Sequence, residues 1–282
     1  MRFVRVHGWH EPHPGFISLS PEGGGMQTVH HDGRETAYRR TDFGNEAPPI
    51  LFVHGSGGTH EIWAEQYGRR ENDYPAVALD LSGHGESDDV DTDPGIETLD
   101  AYAEDVRAVA RDTGAQVLVG NSLGGAVLLH LLLTDGFDPV GVVLAGTGAK
   151  LSVHEDLREW LAEDFERAVD FLHGENFLFH DPDEETVRES TEAMHEVGRA
   201  VTERDFLSCH SFDVRDRLDE LETPALAVVG EHDSLTPPEF HEFLAEQIPD
   251  AGVVTITDAA HLAMLEQPDA FNGALDIFLN RF

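Results

Sequence analysis

The stretch from Val117 to Leu133 constrains the fold more than any other part of the chain. A short apolar run up to Val119 leads through a glycine-rich turn into a second apolar run that only His130 interrupts. A short run bounded by glycine predicts a buried strand, and the longer run predicts a buried helix. Ser122 therefore lies on a turn between a strand and a helix.

The turn has the pattern Gly120-x-Ser122-x-Gly124. At a strand-to-helix junction this pattern is typical of a nucleophile elbow, which lifts the hydroxyl out of the sheet and directs the first helix amides at the attacked group. The glycines let neighbouring elements pass close to the bent backbone. A tightly packed turn without catalytic function would look the same, so the catalytic interpretation needs a base, an acid and an oxyanion hole elsewhere.

Length and composition bound the possible functions. The chain has 282 residues, 40% of them hydrophobic, which is enough for one large core or a core with a modest insertion. Because it has neither a membrane-spanning apolar run nor a secretory signal, we expect a cytoplasmic protein. Cys209 is the only cysteine, and His7, His10 and His13 have no partner at ligand spacing, so we expect no metal site and no cofactor.

The net charge of −37 comes from 55 acidic and 18 basic residues, and Lys150 is the single lysine. Such a charge repels nucleic acids and anionic membranes, so we expect a small-molecule substrate as the partner, and the oligomeric state is left open. Self-repulsion destabilises the compact state unless salt screens it, and the Debye length is about 3 Å at 1 M. The acidic, lysine-poor composition is similar to that of proteins from halophiles.

Apolar strands alternate with helical patterns along most of the chain, which favours a mostly parallel sheet covered by helices on both faces. The predicted strands are 49–53, 76–79, 117–119, 140–144, 225–229 and 253–256. Upstream, residues 1–49 are predicted to form antiparallel strands, with a first short run at 3–6 and a loop at 8–25. A single final helix is expected to reach Phe282.

The alternation of strands and helices stops between residues 151 and 217, where helical patterns of apolar residues follow one another without predicted strands between them. Because this segment follows a strand, we expect it at the end of the sheet where the elbow opens, as a lid over the site. A helical subdomain without a gating role is the alternative. The prediction is an α/β core of residues 1–150 and 218–282 with an inserted helical cap of residues 151–217.

Position at the ends of predicted strands selects the partners of Ser122. A serine hydroxyl needs a base within hydrogen-bond reach and a third group that orients the base. His261 follows the last predicted strand, and Asp233 follows the preceding one. The order Ser122, Asp233, His261 is that of the α/β-hydrolases, with Glu231 and Asp258 as rival acids.

Five motifs in family order make nearly the whole chain similar to the α/β-hydrolase-fold serine hydrolases of the esterase type. They are His54-Gly55-Ser56-Gly57, Asp80-x-x-Gly83-x-Gly85-x-Ser87, the elbow, the Gly-x-x-Asp stretch ending at Asp233, and His261. The resemblance implies Ser122 as nucleophile, His261 as general base and later acid, and Asp233 as the orienting carboxylate.

The resemblance also implies an oxyanion hole made of the backbone amides of Ser56 and Leu123, with Gly57 as the alternative to Ser56. Loss of one such donor costs about 3 kcal/mol of transition-state stabilisation. The histidines His54 and His84, which lie in the other motifs, are expected to shape loops.

A serine at the elbow implies acyl transfer to water through a seryl ester, since relatives that open epoxides or displace halide carry aspartate there. The apolar predicted cap favours a small to medium, partly apolar carboxylic ester or lactone. The alternatives are a carbon–carbon bond hydrolase of a β-diketone-like substrate, a cofactor-free lyase or perhydrolase, and a non-catalytic ligand-binding protein. Arg204 or Arg215 could bind a substrate carboxylate, although a solvated surface arginine is the simpler interpretation.

Overall fold

In a computed structural model, which describes residues 3–6, 25–44, 46–134 and 136–282, a nine-stranded sheet organises the fold. The strands are β1 (Phe3–Val6), β2 (Met26–His31), β3 (Arg34–Thr41), β4 (Ile50–Val53), β5 (Ala76–Leu79), β6 (Val117–Asn121), β7 (Gly141–Ala145), β8 (Ala225–Gly230) and β9 (Ala251–Ile256). Their order is β1-β9-β8-β7-β6-β4-β5-β3-β2. Among the described strands, β3 alone runs opposite to the other eight, so the mostly parallel sheet is confirmed for the described residues.

Helices cover both faces of this sheet, as predicted. In the described residues the α-helices are α1 (Ala64–Tyr67), α2 (Ile96–Thr113), α3 (Leu123–Thr134), α4 (Glu155–Glu163), α5 (Phe165–Leu172), α6 (Glu184–Val197), α7 (Arg199–Ser211), α8 (Pro238–Gln247), α9 (Ala263–Glu266) and α10 (Pro268–Leu279). Side chains alternate along β4, so Leu51 and Val53 pack with α2, α3 and α8, whereas Ile50 and Phe52 pack with α1 and α10.

The helices α2 and α3 follow the patterns that predicted them. In α2 the buried residues Leu99, Tyr102, Val106 and Val109 form one stripe, and the helix ends at Gly114 with a left-handed φ of 74°. In α3 the side chains from Leu123 to Leu131 are all buried. Among the described residues, none of the helices combines the length and the apolar composition that crossing a bilayer requires.

Two local predictions were wrong. The strand β1 is not part of an antiparallel set with β2 and β3, because it pairs in parallel with β9 at the opposite edge of the sheet. The final helix is two helices, since Pro268 lacks an N–H and its ring clashes with a continuing helix, and the preceding Gln267 has a non-helical φ of −134°. The predicted loop at 8–25, with His10 and His13, falls almost wholly outside the described residues, as does His7.

The segment between β7 and β8 contains the four helices α4 to α7, without a strand between them. The helix α7 packs against α2, α3 and α4, whereas α6 packs chiefly against α7. The last of these helices is followed by an isolated bridge between Asp213 and Lys150, so the segment leaves and rejoins the sheet at one place. This end of the sheet is where the parallel strands β4, β6, β8 and β9 have their carboxyl ends.

Candidate active site

Ser122 lies between β6 and α3 with a φ of 54°, a strained value for a residue with a side chain. Its N–H donates to the carbonyl of Ala145 at 2.9 Å, and the hydroxyl of Thr147 donates to its carbonyl at 2.8 Å. A Cβ at Gly120 would lie 2.6 Å from the backbone of Gly124, which leaves no room for a side chain. These contacts hold Ser122 on the sharp turn that the motif predicts.

His261 and Asp233 meet at the carboxyl ends of β9 and β8. The Nδ1 of His261 lies 2.9 Å from Oδ2 of Asp233, and both side chains are buried. The carboxylate also accepts the N–H groups of Leu235 and Thr236 and the hydroxyl of Thr236, at 2.9, 2.8 and 2.8 Å. Because an ionised carboxylate only accepts hydrogen bonds, the neutral tautomer that fits this contact has its proton on Nδ1 and its lone pair on Nε2.

Opposing effects set the pKa of Asp233. Burial raises it, whereas the charge and hydrogen bond of His261 and the N–H of Thr236 lower it, and the net pKa lies below its usual value. The group is therefore a carboxylate at neutral pH. The rival acids differ, since Glu231 is half-buried, Asp258 is exposed, and the carboxylate found against His261 is that of Asp233.

Asn121, the residue before Ser122, ties the histidine loop to the turn. Its Nδ2 donates to the carbonyl of His261 at 3.3 Å and to that of Ala145 at 3.4 Å. Gly146 has a φ of 51°, and a Cβ there would lie 3.2 Å from Nδ1 of His261 and 2.9 Å from Nδ2 of Asn121. Neither role was predicted from the sequence, although a glycine directly after a strand can signal such a close approach.

The glycine-rich loop after β4 lies against the serine, since a Cβ on Gly55 would be 2.9 Å from Cβ of Ser122. Within the described chain, no backbone carbonyl accepts a hydrogen bond from the N–H of Ser56 or Gly57. Leu123 begins α3, so its N–H has no acceptor within the helix, while its side chain is in the core. These three amides are thus available to a ligand beside Ser122.

A cavity of about 680 Å³ opens beside Ser122 and His261. Its apolar wall combines side chains of the core with side chains of the helical segment between β7 and β8. They include Tyr67, Leu157, Phe171, Phe177, Met194 and Phe206. The volume is typical of pockets that bind drug-sized molecules.

The histidines of the two glycine-rich motifs hold loops in place. His54 accepts the N–H of Leu81 at 3.0 Å and donates to the carbonyl of Gly55 at 2.8 Å, and burial lowers its pKa to about 4. His84 lies 3.0 Å from Asp205 and 3.2 Å from a backbone carbonyl. Burial is the largest influence and lowers the pKa of His84, but the charge and hydrogen bond of Asp205, the carbonyl of Ser82 and the charge of Asp80 together raise it above its usual value.

Three potential metal ligands, His180, His232 and Asp258, have ligand atoms within 4.8 Å of one another, the one such group among the described residues. The two imidazole rings are stacked, with centroids 3.6 Å apart and planes inclined by 13°. A metal ion lies in the plane of each imidazole that binds it, and stacked rings share no such point. One ring would have to rotate before both could bind one ion, so we assign the stack a structural role.

A partly buried carboxyl group, that of Glu266, lies beside the loop that carries His261, and its role was not predicted from the sequence either. Its oxygens accept the N–H groups of Ala260 at 2.6 Å and His180 at 2.7 Å. Burial raises its pKa to about 7, although these backbone donors lower it. The group joins the residue before His261 to the helical segment between β7 and β8.

Neither candidate arginine lines the cavity. Arg204 is not a solvated surface residue, because its guanidinium donates to the carbonyl of Val90 at 2.7 Å and pairs with Asp89 at 2.8 Å. It thereby attaches α7 to the loop after β5. Arg215 pairs with Asp213 at 2.7 Å on the surface, as the simpler interpretation predicted.

Residues 50–274 match the alpha/beta hydrolase family. The pimeloyl-acyl-carrier-protein methyl ester esterase of Neisseria meningitidis serogroup A is 28% identical over 240 residues, which cover 79% of this chain and 73% of the relative. A solved thermophilic esterase has a TM-score of 0.80 and 30% identity, covering 91% of this chain and 98% of that chain. An N-acyl homoserine lactone degrading enzyme has a TM-score of 0.78 and 25% identity, covering 89% and 100%.

Proposed function

Since the chain belongs to the alpha/beta hydrolase family, and is a hydrolase of ester-like substrates, we propose that it cleaves a small to medium carboxylic ester or lactone through a seryl acyl-enzyme. The observation that carries the proposal is the buried pair of His261 and Asp233, 2.9 Å apart, whose histidine lines the same cavity as Ser122. The similar structures of an esterase and of a lactone-degrading enzyme support the same substrate class.

The reaction follows from the roles of these three side chains. The hydroxyl of Ser122 attacks the acyl carbon while Nε2 of His261 takes its proton. Asp233 keeps Nδ1 protonated and stabilises the imidazolium that forms. The proton then passes to the leaving alcohol, and a water molecule activated by the same imidazole releases the acid.

The oxyanion of each tetrahedral intermediate accepts hydrogen bonds from the amides of Leu123 and of Ser56, or of Gly57 in its place. The support is that Leu123 begins a helix and that the described chain offers the other two amides no carbonyl acceptor. Such donors stabilise the developing charge without reorganisation, because the backbone already holds them in place.

We further propose that residues 151–217 form the cap of this site and that residues 1–150 and 218–282 form its α/β core. The support is that side chains of α4 and α6 line the cavity beside those of the core. Met194 of α6 also packs on the oxyanion loop, since a Cβ at Gly57 would lie 3.0 Å from its Cγ. The cap therefore contributes to the shape of the acyl-binding region.

We also propose that the enzyme works in the cytoplasm of a halophile, at molar salt. The support is its composition, with a net charge of −37 and a single lysine. At about 1 M salt the Debye length is about 3 Å, so charges at the surface interact only with their immediate neighbours.

The proposal is tested by the hydrolysis of short and medium chain p-nitrophenyl esters in molar KCl. Replacement of the nucleophile in Ser122→Ala should lower kcat at least about 1,000-fold. Ser211→Ala, which removes an exposed hydroxyl outside the cavity lining, serves as the matched control and should keep the parent activity. Turnover that persists in a folded Ser122→Ala, or no turnover by the folded parent, would contradict the proposal.

A further inference from the structure

The wall that α6 contributes to the cavity is acidic. Glu189, Glu192 and Glu196 line the cavity at spacings of three and four residues, so their side chains follow one face of the helix. Glu61, in the turn before α1, adds a fourth carboxylate to the lining. The last two glutamates of α6 and Glu61 are exposed to solvent, which locates them at the opening of the cavity.

Few basic groups lie among these carboxylates. Among the described residues, the cavity lining contains no lysine or arginine, and its basic side chains are His154 and His261. Arg188 lies outside the lining and contacts Glu189 and Glu192 at 3.8 Å each, farther than the 3.2 Å that separates it from Glu185. One arginine does not offset the charges of Glu61, Glu192 and Glu196 together, so the opening of the cavity has a negative potential.

The acidic wall is close to the reacting atoms. Met194 is the one buried residue of α6, and it packs against Gly57 on the loop that also approaches Ser122. Residues 189 and 196 lie within about one and a half turns of Met194, which is about 8 Å along the helix axis. Because salt screens charges inside a cavity less than charges at the open surface, a substrate bound beside Ser122 is exposed to the field of these carboxylates.

We propose that this wall selects the substrate by charge. The enzyme accepts esters whose acyl and alcohol parts are neutral or cationic, and it excludes esters that carry a carboxylate, phosphate or sulfonate group. An anionic group would lose its hydration without meeting a cationic partner, and like charges would repel it. A neutral or cationic group meets aromatic rings such as those of Tyr67 and Phe171. This inference rests on the proposed function.

The test compares three butyrate esters of similar size. They are 3,3-dimethylbutyl butyrate, which is neutral, and its analogues with a trimethylammonium or a sulfonate group in place of the tert-butyl group. Their dissociation constants are measured by calorimetry with Ser122→Ala, at the lowest KCl concentration that keeps it folded, and kcat/KM is measured with the parent. We expect the sulfonate ester to bind at least about tenfold more weakly than the neutral ester, and the cationic ester to bind at least as tightly.

A pair of double variants separates the wall from the charge of the whole surface. Glu192→Gln/Glu196→Gln should reduce the discrimination against the sulfonate ester. Glu159→Gln/Glu163→Gln removes two exposed carboxylates of α4 outside the lining and should leave it unchanged. Equal binding of the sulfonate and neutral esters, or equal effects of the two double variants, would overturn the inference. Failure of the folded parent to hydrolyse the neutral ester would overturn the proposed function instead. The relative affinities of the three esters for Ser122→Ala would still test the selection by charge.

Discussion

Two fully buried imidazoles, those of His54 and His241, are uncharged in the folded protein. Burial is the main cause that lowers the pKa of each to about 4. Each uses its Nε2 as an acceptor, His54 for the N–H of Leu81 at 3.0 Å and His241 for the N–H of Thr147 at 2.9 Å. Protonation of either ring would remove that acceptor and leave a buried charge.

We therefore expect the free energy of unfolding, measured with urea in about 2 M KCl, to fall as the pH is lowered from about 6.5 to about 4. In this pH range both histidines are protonated in the unfolded chain, whereas they stay neutral in the folded protein. This difference lowers the free energy of unfolding by up to about 3 kcal/mol for each ring. Glu266 has the opposite effect, because its raised pKa lets the folded protein bind a proton before the unfolded chain does. This single group offsets only part of the loss from the two histidines. Constant stability over this range would contradict the assignment.

The main candidate residues of the site could be read from the sequence because each follows an apolar run that predicts a strand. Ser122, Asp233 and His261 are of this kind, and the structure brings them to one end of the sheet. The role of Asn121 could not be read, because its acceptor belongs to a residue 140 positions away. Thr236 donates its hydroxyl to Asp233, a contact that depends on a turn geometry without a distinct local pattern.

At the level of the elements, buried charges attach α7 to the core. The carboxylate of Asp205 lies 3.0 Å from Nε2 of His84 and accepts the hydroxyl of Tyr102 at 2.7 Å, and all three side chains are buried. Arg204, the preceding residue, is bonded to the loop after β5. This helix is therefore a fixed part of the segment between β7 and β8.

At about pH 6, where its raised pKa keeps His84 protonated, we expect Asp205→Asn to lower the free energy of unfolding by at least about 3 kcal/mol, because the variant leaves this charge buried without a counterion. Denaturant unfolding in molar KCl measures the change. Asp213→Asn, which breaks the exposed pair with Arg215, is the matched control and should change stability far less. Similar losses in the two variants would show that the buried pair contributes no more to the free energy of unfolding than the exposed pair does.

The type of most elements could be predicted from local pattern, whereas their partners could not. The apolar run of β1 predicts a strand, but four residues do not specify which edge of the sheet it joins, and β9 is far away in the chain. Likewise, Arg204 has the same local surroundings as a surface arginine. Its contacts to Asp89 and Val90 arise only when α7 docks on the core.

At the scale of the whole molecule, the net charge of −37 makes salt a condition of stability. We expect the melting temperature to rise as KCl is increased from about 0.1 M to about 3 M, because the Debye length shortens and self-repulsion weakens. Thermal unfolding followed by circular dichroism measures this. Sucrose at equal osmolality, which does not screen charge, is the control and should raise the temperature less. An unchanged melting temperature would contradict the prediction.

The overall architecture could be predicted because predicted strands and helices alternate along most of the chain. The acidic wall of the cavity could not. Its glutamates occur among 55 acidic residues, and only the docking of α6 on α7 decides that Glu189, Glu192 and Glu196 face the cavity. Composition thus predicts the charge of the molecule, whereas tertiary packing decides where that charge meets a substrate.

Cys209 gives the protein a built-in chemical reporter of cavity occupancy. It is the only cysteine of the chain, it lines the cavity, and its Sγ lies 4.0 Å from the hydroxyl oxygen of Ser56. Burial raises its pKa to about 12, so the thiol stays protonated and reacts slowly with alkylating reagents. A ligand in the cavity would cover this single sulfur, so the fall in its labelling rate when a ligand is added measures occupancy without any engineered label.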